Sequence, residues 1–306
     1  MAMSGRVIVA GSLNMDLVAE APSLPRAGET IMGTAFHTLP GGKGLNQAVA
    51  AARLGANVEM IGCVGQDEYG ERLLDVIVDE DVDAAYVIRT TEAPTGIAQI
   101  VVSAGENCIV VVPGANMVPA YAMVSSIRIN RGDIILAQLE TPMAVTERLF
   151  ARARDRGAMT ILNAAPAAAV PDDLLGLVDL LIVNETELAT LTQARLDGDS
   201  PISDIAAAAG RLQRAGMVMI VTLGRRGAVL LRGDAAPEVV AGHAVAAIDS
   251  TGAGDCFVGA YAAALARGRG DRALAFANAA AALAVTKRGA APSMPHLAEV
   301  EALIRA

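Results

Sequence analysis

The sequence predicts an α/β protein of three layers, α/β/α, with a mainly parallel central sheet and a small β-sheet lid beside it. Three observations carry this. Short β-rich runs alternate with helical patterns along the chain. Most of the strand runs are continuously apolar rather than alternating, the mark of strands buried on both faces. Two segments, about 15–40 and 95–114, break the alternation and read as β structure of their own.

The elements follow in order. The run 6–10 (RVIVA) is the first strand. Residues 15–40 carry no helical period but hold Pro22, Pro25, Gly28 and Gly33, so extended chain and turns are expected there. A helix over 46–54, a strand over 58–62 and a helix over 68–79 come next. The stretch 95–114 (TGIAQIVVSAGENCIVVVPG) sets two β-rich runs around a turn-like 103–107, a hairpin. Strands over 134–138, 159–162, 180–183, 217–221 and 228–231 are separated by helices over 145–156 and 205–215 where the spacing allows. Helices over 253–266, 272–287 and 297–305 close the chain. Fixed-period repeats and low-complexity linkers are absent, so residues 1–306 read as a single domain with the two lid segments inserted.

Composition narrows the function. Apolar residues make up 53% of the chain and aromatics only 3%, with no Trp, so the core is aliphatic. A net charge of −9 disfavours a nucleic-acid groove but leaves room for a local cradle of backbone N–H groups that binds phosphate. Cys63, Cys108 and Cys256 are scattered, with neither a disulfide framework nor a zinc spacing. The start MAMSGRVIVAGS lacks the form of a signal peptide, and no run is long enough to span a membrane. A cytoplasmic protein is expected.

Polar residues follow the strands: Asn14 and Asp16, Gly65 and Asp67, Glu140, Asn163, Asn184 with Glu187, and Thr222 with Gly224. Singly each is a turn former or helix cap as readily as a ligand; in an open α/β sheet they converge at one edge, where ligands bind. Two glycine-rich elements add to them. GGKGLNQ (41–47) opens a helix, yet it is not a P-loop, which would need Gly at 37 and Ser or Thr at 44, where the chain has His37 and Gly44. Gly42 permits close backbone approach, and Lys43 and Asn46 offer donors. DSTGAGDCF (249–257) sets Gly252, Ala253 and Gly254 before a helix, leaving N–H groups aimed at an anion, with the Asp255 carboxylate beside them. A carboxylate there is either a helix-start residue or a base for a hydroxyl that attacks a phosphoryl group.

The pair GGKGLNQAVAAARLGA (41–56) and DSTGAGDCFVGA (249–260) resembles the two signatures of the PfkB carbohydrate kinases, most of all those of ribokinases. GSLNMDLV, PRAGET, GCVGQDEYG, GANMVP, QLETP, VNETE, TLGRRG and AAALAVTKRGAAPSMP resemble further family segments in the same order, from about residue 6 to the C-terminus. The resemblance implies a ribokinase-like fold whose β lid often forms a homodimer. It implies transfer of the ATP γ-phosphoryl group to a sugar hydroxyl, with D-ribose the expected acceptor and D-ribose 5-phosphate the product. The alternatives are a kinase of a nucleoside, deoxyribose or another sugar, and a non-catalytic sugar-binding protein.

Residue by residue, the resemblance implies Asp255 as base, with Gly252, Ala253 and Gly254 as anion hole. Asn14, Asp16, Gly42, Lys43, Asn46 and Glu140 match the sugar set. Asn184, Glu187, Thr222, Gly224, Gly227 and Asn278 match contacts to nucleotide or Mg²⁺-bound water. Asp249, Thr251, Ala284, Lys287, Gly289 and Ser293 match positions around a monovalent cation, usually K⁺. Four departures stand out: Leu45 for a common Ala, Ser250 for Thr, Asn163-Ala164-Ala165-Pro166 for N-P-A-P, and Asn278 for a His near the adenine.

Overall fold

The computed structural model describes residues 5–103 and 106–305. The chain opens with β1 (Val7–Ala10), β2 (Asn14–Glu20) and β3 (Ala35–Gly41), then enters α1 (Lys43–Arg53). β4 (Val58–Gly65), α2 (Glu68–Asp79) and β5 (Val82–Thr90) lead to β6 (Gly96–Ser103), β7 (Glu106–Val112) and the short α3 (Tyr121–Ser126). Next come β8 (Ile134–Ala137), α4 (Met143–Asp155), β9 (Met159–Asn163), α5 (Asp172–Leu175), β10 (Leu180–Asn184), α6 (Glu185–Thr192) and α7 (Ile202–Gly210). β11 (Val218–Thr222), β12 (Ala228–Arg232) and β13 (Glu238–Val240) precede α8 (Ala253–Ala266), α9 (Ala273–Ala284) and α10 (Leu297–Arg305).

Nine strands form one sheet in the order β13-β12-β11-β10-β9-β8-β1-β4-β5. Every pairing from β11 to β5 is parallel, and β12 and β13 add antiparallel at one edge. Alternation along β1 divides the core. Val7 and Val9 face a cluster built with α1, α8 and α9; Ile8 and Ala10 face a second built with α4 and α7. The sheet grows outward from β1 in two directions, to β4 and β5 on one side and β8 to β11 on the other. The carboxyl ends of β1 and β8 thus flank the point where the winding reverses, which leaves a crevice for a ligand.

A separate four-stranded sheet, β3-β2-β6-β7, corresponds to the two segments that break the helix–strand alternation. Residues 11–13 alone separate β1 from β2, so the small sheet is tied to the crevice. The two-residue strand period puts Asn14 and Asp16 on one face of β2. The hairpin expected over 95–114 is formed by β6 and β7; residues 104 and 105 of its turn lie outside the described residues.

Unexpected elements have physical reasons. β5 and β13 are the outermost strands, and their mixed polarity (VDAAYVIRT and EVV) matches an edge position rather than a doubly buried one. Helices α3, α5 and α6 have 6, 4 and 8 residues, too short for a 3.6-residue period to declare itself.

Alanine and glycine let the helices of the first core approach closely. α8 is buried along most of its length. A Cβ added at Gly259 would lie 2.5 Å from Gln47 O and 2.7 Å from Ala50 Cβ, so α1 and α8 touch backbone to backbone. Gly259→Ala gains about 1 kcal/mol of helix propensity, but overpacking costs about 1–3 kcal/mol. We expect a net loss, read as a lower urea midpoint at unchanged m-value; a midpoint at or above wild type would show that the helices part without cost.

Candidate active site

The site is built on the crevice between β1 and β8. Helix α1 starts against the loop after β1, where Gly42 adopts φ 90° and a Cβ would lie 2.8 Å from Asn14 N. That fit leaves only glycine room to turn. The first N–H groups of α1 are all taken: Leu45 N–H donates to Ser12 O at 3.0 Å, Gly44 N–H to Ser12 Oγ at 3.3 Å and Lys43 N–H to Glu140 Oε2 at 3.2 Å. The Ser12 hydroxyl donates to the same Glu140 oxygen. Glu140 therefore caps α1, a favourable place for a negative charge, and its Oε1 remains available.

Asp255 lies in the first turn of α8 and is buried. Its carboxylate accepts two amide donors from α1, Asn46 Nδ2 on Oδ2 and Gln47 Nε2 on Oδ1, both at 2.9 Å. Gln47 Nε2 also reaches Asn163 Oδ1 at 3.0 Å, and Gln138 Nε2 donates to Gln47 Oε1 at 2.6 Å. Asn14 is fixed from behind, because its Oδ1 accepts from Asn116 Nδ2 at 2.7 Å. Asn116 is itself anchored on both the N–H and the carbonyl of Leu13. The Asn14 amino group is then the end left for a ligand.

Charge is concentrated here. Burial, reinforced by Glu140 and Asp255, pushes the Asp16 carboxyl up to about 7. Lys43 is held protonated above the usual lysine range, by Asp255 first and then, against the cost of burial, by Glu140 and Glu187. Burial also raises Glu187, against the Asn184 hydrogen bond and Lys43.

The anion cradle is present at the start of α8. Gly252 is left-handed at φ 76°. The N–H groups of Gly252, Gly254 and Asp255 meet no acceptor among the described residues, whereas that of Ala253 turns onto Ser250 O at 3.2 Å. A Cβ at Gly254 would meet nothing within 4 Å, so the space above the turn is open. Adjoining it is a cavity of about 320 Å³ whose lining includes Thr222, Gly224, Gly227, Ala253, Gly254 and Asn278. Gly227 is there for packing, since a Cβ would collide with Val240 O. Asn278 donates to Ala241 O at 2.8 Å and holds the loop that forms one wall.

Asn184 and Glu187 do not line that cavity. They form a reciprocal capping box on α6: Glu187 N–H donates to Asn184 Oδ1 at 2.7 Å, and Asn184 N–H to Glu187 Oε2 at 2.8 Å. The remaining oxygen of Glu187 is free to act toward Lys43 and Asp255, whose charges it senses.

Behind the cradle, Asp249 accepts from Thr251 N–H and Gly289 N–H, both at 2.9 Å. Burial opposes its ionisation, but these bonds and the Arg288 charge hold it below the usual carboxylate range. Two neighbouring side chains are engaged elsewhere: Lys287 Nζ pairs with Glu299 at 2.8 Å, and Ser293 Oγ donates to Ala290 O at 2.8 Å. Ala284 is fully buried at the end of α9.

Sequence reasoning gave no role to Ser12, Gln47, Asn116, Gln138, Arg225 or His243. The first four sit in the quoted segments GSLN, GGKGLNQ, GANM and QLETP, which was the available signal. Arg225 lines the cavity from within the quoted segment TLGRRG, whereas His243, which also lines it, belongs to no pattern. Leu45, the departure in the sugar loop, is fully buried in the aliphatic core and leaves the site's polar surface intact.

Known proteins share this architecture and these motifs. The model of the "pfkB family carbohydrate kinase" matches residues 4–297. The ribokinase of Bacillus subtilis is 39% identical over 301 residues, covering 97% of this chain and 99% of the relative. That of Haemophilus influenzae is 37% identical over 297 residues, 96% of each chain. The Arabidopsis thaliana ribokinase, solved with ribose and ATP, superposes with a TM-score of 0.89 at 32% identity, covering 99% of this chain and 100% of that one. On its sequence, its fold and its relatives together, the chain belongs to the pfkB family of carbohydrate kinases.

Proposed function

We propose that this kinase transfers the γ-phosphoryl group of ATP to D-ribose, giving D-ribose 5-phosphate. The observation that carries the reading is the juxtaposition of a buried carboxylate, Asp255, with N–H groups of its own helix turn that meet no acceptor among the described residues, next to a cavity of about 320 Å³ that Ala253 and Gly254 help to line. Asn14, Asp16, Gly42, Lys43, Asn46 and Glu140 surround the crevice with the mixed donors and acceptors a polyhydroxyl ligand needs. Ribose is favoured over a nucleoside or deoxyribose because relatives at 37–39% identity are ribokinases, and one solved neighbour holds ribose and ATP.

The reaction divides among the chain's own groups. Asp255 accepts the hydroxyl proton while the sugar oxygen bonds to the γ-phosphorus; the bond from phosphorus to the bridging oxygen breaks, and its electron pair leaves with ADP. The N–H groups of Gly252, Gly254 and Asp255, at the positive end of α8, offset the charge on the transferring group. Ala253 supports the turn. Thr222, Gly224, Gly227 and Asn278 frame the nucleotide.

Mg²⁺ fits as a companion of the phosphates. Among the described residues no cluster of three or more His, Cys, Asp or Glu is placed to hold a metal, and Mg²⁺ commonly binds through phosphates, waters and few carboxylates. Glu187 with Asn184 would orient its waters, and the ion would neutralise phosphate charge. A monovalent cation such as K⁺ also fits, beside the ionised Asp249 and held by backbone carbonyls of Thr251, Ala284, Lys287, Gly289 and Ser293. Its charge would steady the cradle from behind.

The small sheet suits the roles of lid and dimer contact. It carries Asn14 and Asp16, and lid closure would exclude water as a competing acceptor. Its outer strand β7 is exposed throughout and offers Ile109, Val110, Val111 and Val112, an apolar edge of the kind that pairs with another chain.

Three outcomes follow. In a coupled ADP-release assay across pentoses, ketohexoses and nucleosides, with and without K⁺, ribose with K⁺ turns over fastest; Asp255→Asn loses on the order of 10²–10⁴ in kcat while sugar binding stays. A nucleoside turned over in place of ribose would move the substrate assignment, equal rates without K⁺ would remove the cation, and a near-wild-type Asp255→Asn would remove the base. The acid limb of kcat/KM for sugar falls near pH 7. Asp16, raised to about 7, must be ionised to accept two hydroxyls, so affinity is present above that pH and drops about tenfold per unit below it. Asp16→Asn loses that limb, and an unchanged limb would show that Asp16 does not govern sugar binding. By light scattering the protein is a dimer, and Val110→Lys shifts it toward the monomer; an undisturbed dimer would place the interface elsewhere.

A further inference from the structure

The base is held by a buried chain of amides whose direction can be worked out. A carboxylate only accepts, so the groups 2.9 Å from the two oxygens of Asp255 must be the amino ends of Asn46 and Gln47. The Gln47 amide is thereby oriented, and its oxygen faces Gln138. Gln138 must then present its own amino end, as the 2.6 Å bond from Gln138 Nε2 to Gln47 Oε1 shows. The cost appears at the far end: Gln138 Oε1 is buried with no hydrogen-bond partner among the described residues. Turning both glutamines over would move that oxygen elsewhere, but it would aim Gln47 Oε1 at a carboxylate. A side support agrees, since Asn163 Nδ2 is committed to Ile182 O at 3.1 Å, which leaves Asn163 Oδ1 to accept from Gln47 at 3.0 Å.

We propose that Gln47 is a positioning residue for phosphoryl transfer, and that Gln138 and Asn163 lock it. Gln47 is fully buried; its side chain reaches the base but is screened from the crevice. Its N–H fixes Oδ1 of Asp255, while Asn46, on the crevice side, holds Oδ2. Two donors from one helix turn fix both the plane of the carboxylate and the direction of its remaining lone pairs. Gln138 adds rigidity, since its amino end gives Gln47 Oε1 a buried donor in the orientation that serves Asp255.

This rests on Asp255 being the base, and the tests separate the two. Gln47→Leu removes the donor at similar volume. Single-turnover phosphoryl transfer should slow about 10–100-fold, with the KM for ribose within about threefold of wild type. The loss should fall on the transfer rate and spare ribose affinity, the split that marks a positioning role. The other charged or titratable groups around Asp255 are Lys43 from α1, Asp16 from β2, Glu187 from α6 and Cys256 of its own helix, and Gln47→Leu leaves all four in place.

Gln138→Leu frees Gln47 without deleting it, and a smaller loss of about 3–10-fold, again at little-changed KM for ribose, is expected. It also keeps the idea testable if Gln47→Leu does not fold. A merely structural Gln47 would lower the thermal midpoint and leave the transfer rate of the folded enzyme unchanged; that result in both variants, or a loss carried by the KM for ribose, overturns the proposal. If Asp255→Asn is itself fully active, the assignment of the base fails first, and a slowed Gln47→Leu would then act through another group.

Discussion

Two helix N-termini meet at Asp255, and much of the surrounding architecture serves to hold them together. α1 and α8 begin at the crevice, and both direct the positive end of their peptide dipoles into it. Their closeness comes from Gly259 and the neighbouring alanines, which bring the helix backbones into contact. This explains how a chain with a net charge of −9 can manage phosphate without a basic surface. The favourable field is local, made by unpaired N–H groups and one lysine, and it does not require positive charge elsewhere. It also explains why several carboxylates gather here. Glu140 occupies the N-terminus of α1, and Asp255 the first turn of α8, positions where negative charge is stabilised.

The candidate sugar side draws on both sheets. Asn14 and Asp16 ride on β2 of the small sheet, Lys43 and Asn46 on α1, which packs against the large sheet, and Glu140 follows β8 of that sheet. The short link from β1 to β2 fixes Asn14 nearly as firmly as a core residue, and Asn116 clamps it to the Leu13 backbone. Asp16 lies two residues further out. Its carboxyl is buried without a protein hydrogen bond among the described residues, facing other negative groups. Such a group gains from any ligand that donates hydroxyls to it. The cost of burying that carboxyl is thereby offset on binding.

The fold was legible because its central strands are continuous apolar runs and its main helices are long enough to show their period. The edge strands β5 and β13 and the short helices α3, α5 and α6 were not, since edge strands face less selection for apolar residues and one or two turns carry no period. Within the candidate site, residues whose placement depends on type and local spacing could be read: Asp255 after Gly252–Gly254, Lys43 and Asn46 after Gly42. Those that act through distant partners could not. Gln47 and Gln138 are separated by 91 residues, and nothing in either neighbourhood announces a buried amide bond between them. Asn116 is likewise 103 residues from the Leu13 backbone it holds.

The sequence also posed a choice, ligand or helix cap, that the geometry dissolves for two residues. Glu140 uses Oε2 for Ser12 and the start of α1, and Glu187 uses Oε2 for the Asn184 N–H. In each, one oxygen fixes the side chain against the backbone and the other has no hydrogen-bond partner among the described residues, so capping the helix does not use up the carboxylate. A carboxylate without the cap would reach the same place only by losing side-chain freedom on binding. Asp249 differs, because both its oxygens hold backbone N–H groups, those of Thr251 and Gly289. It joins the turn that carries the cradle to the segment after α9, and its first service to the phosphoryl group is to keep Gly252 and Gly254 where they are.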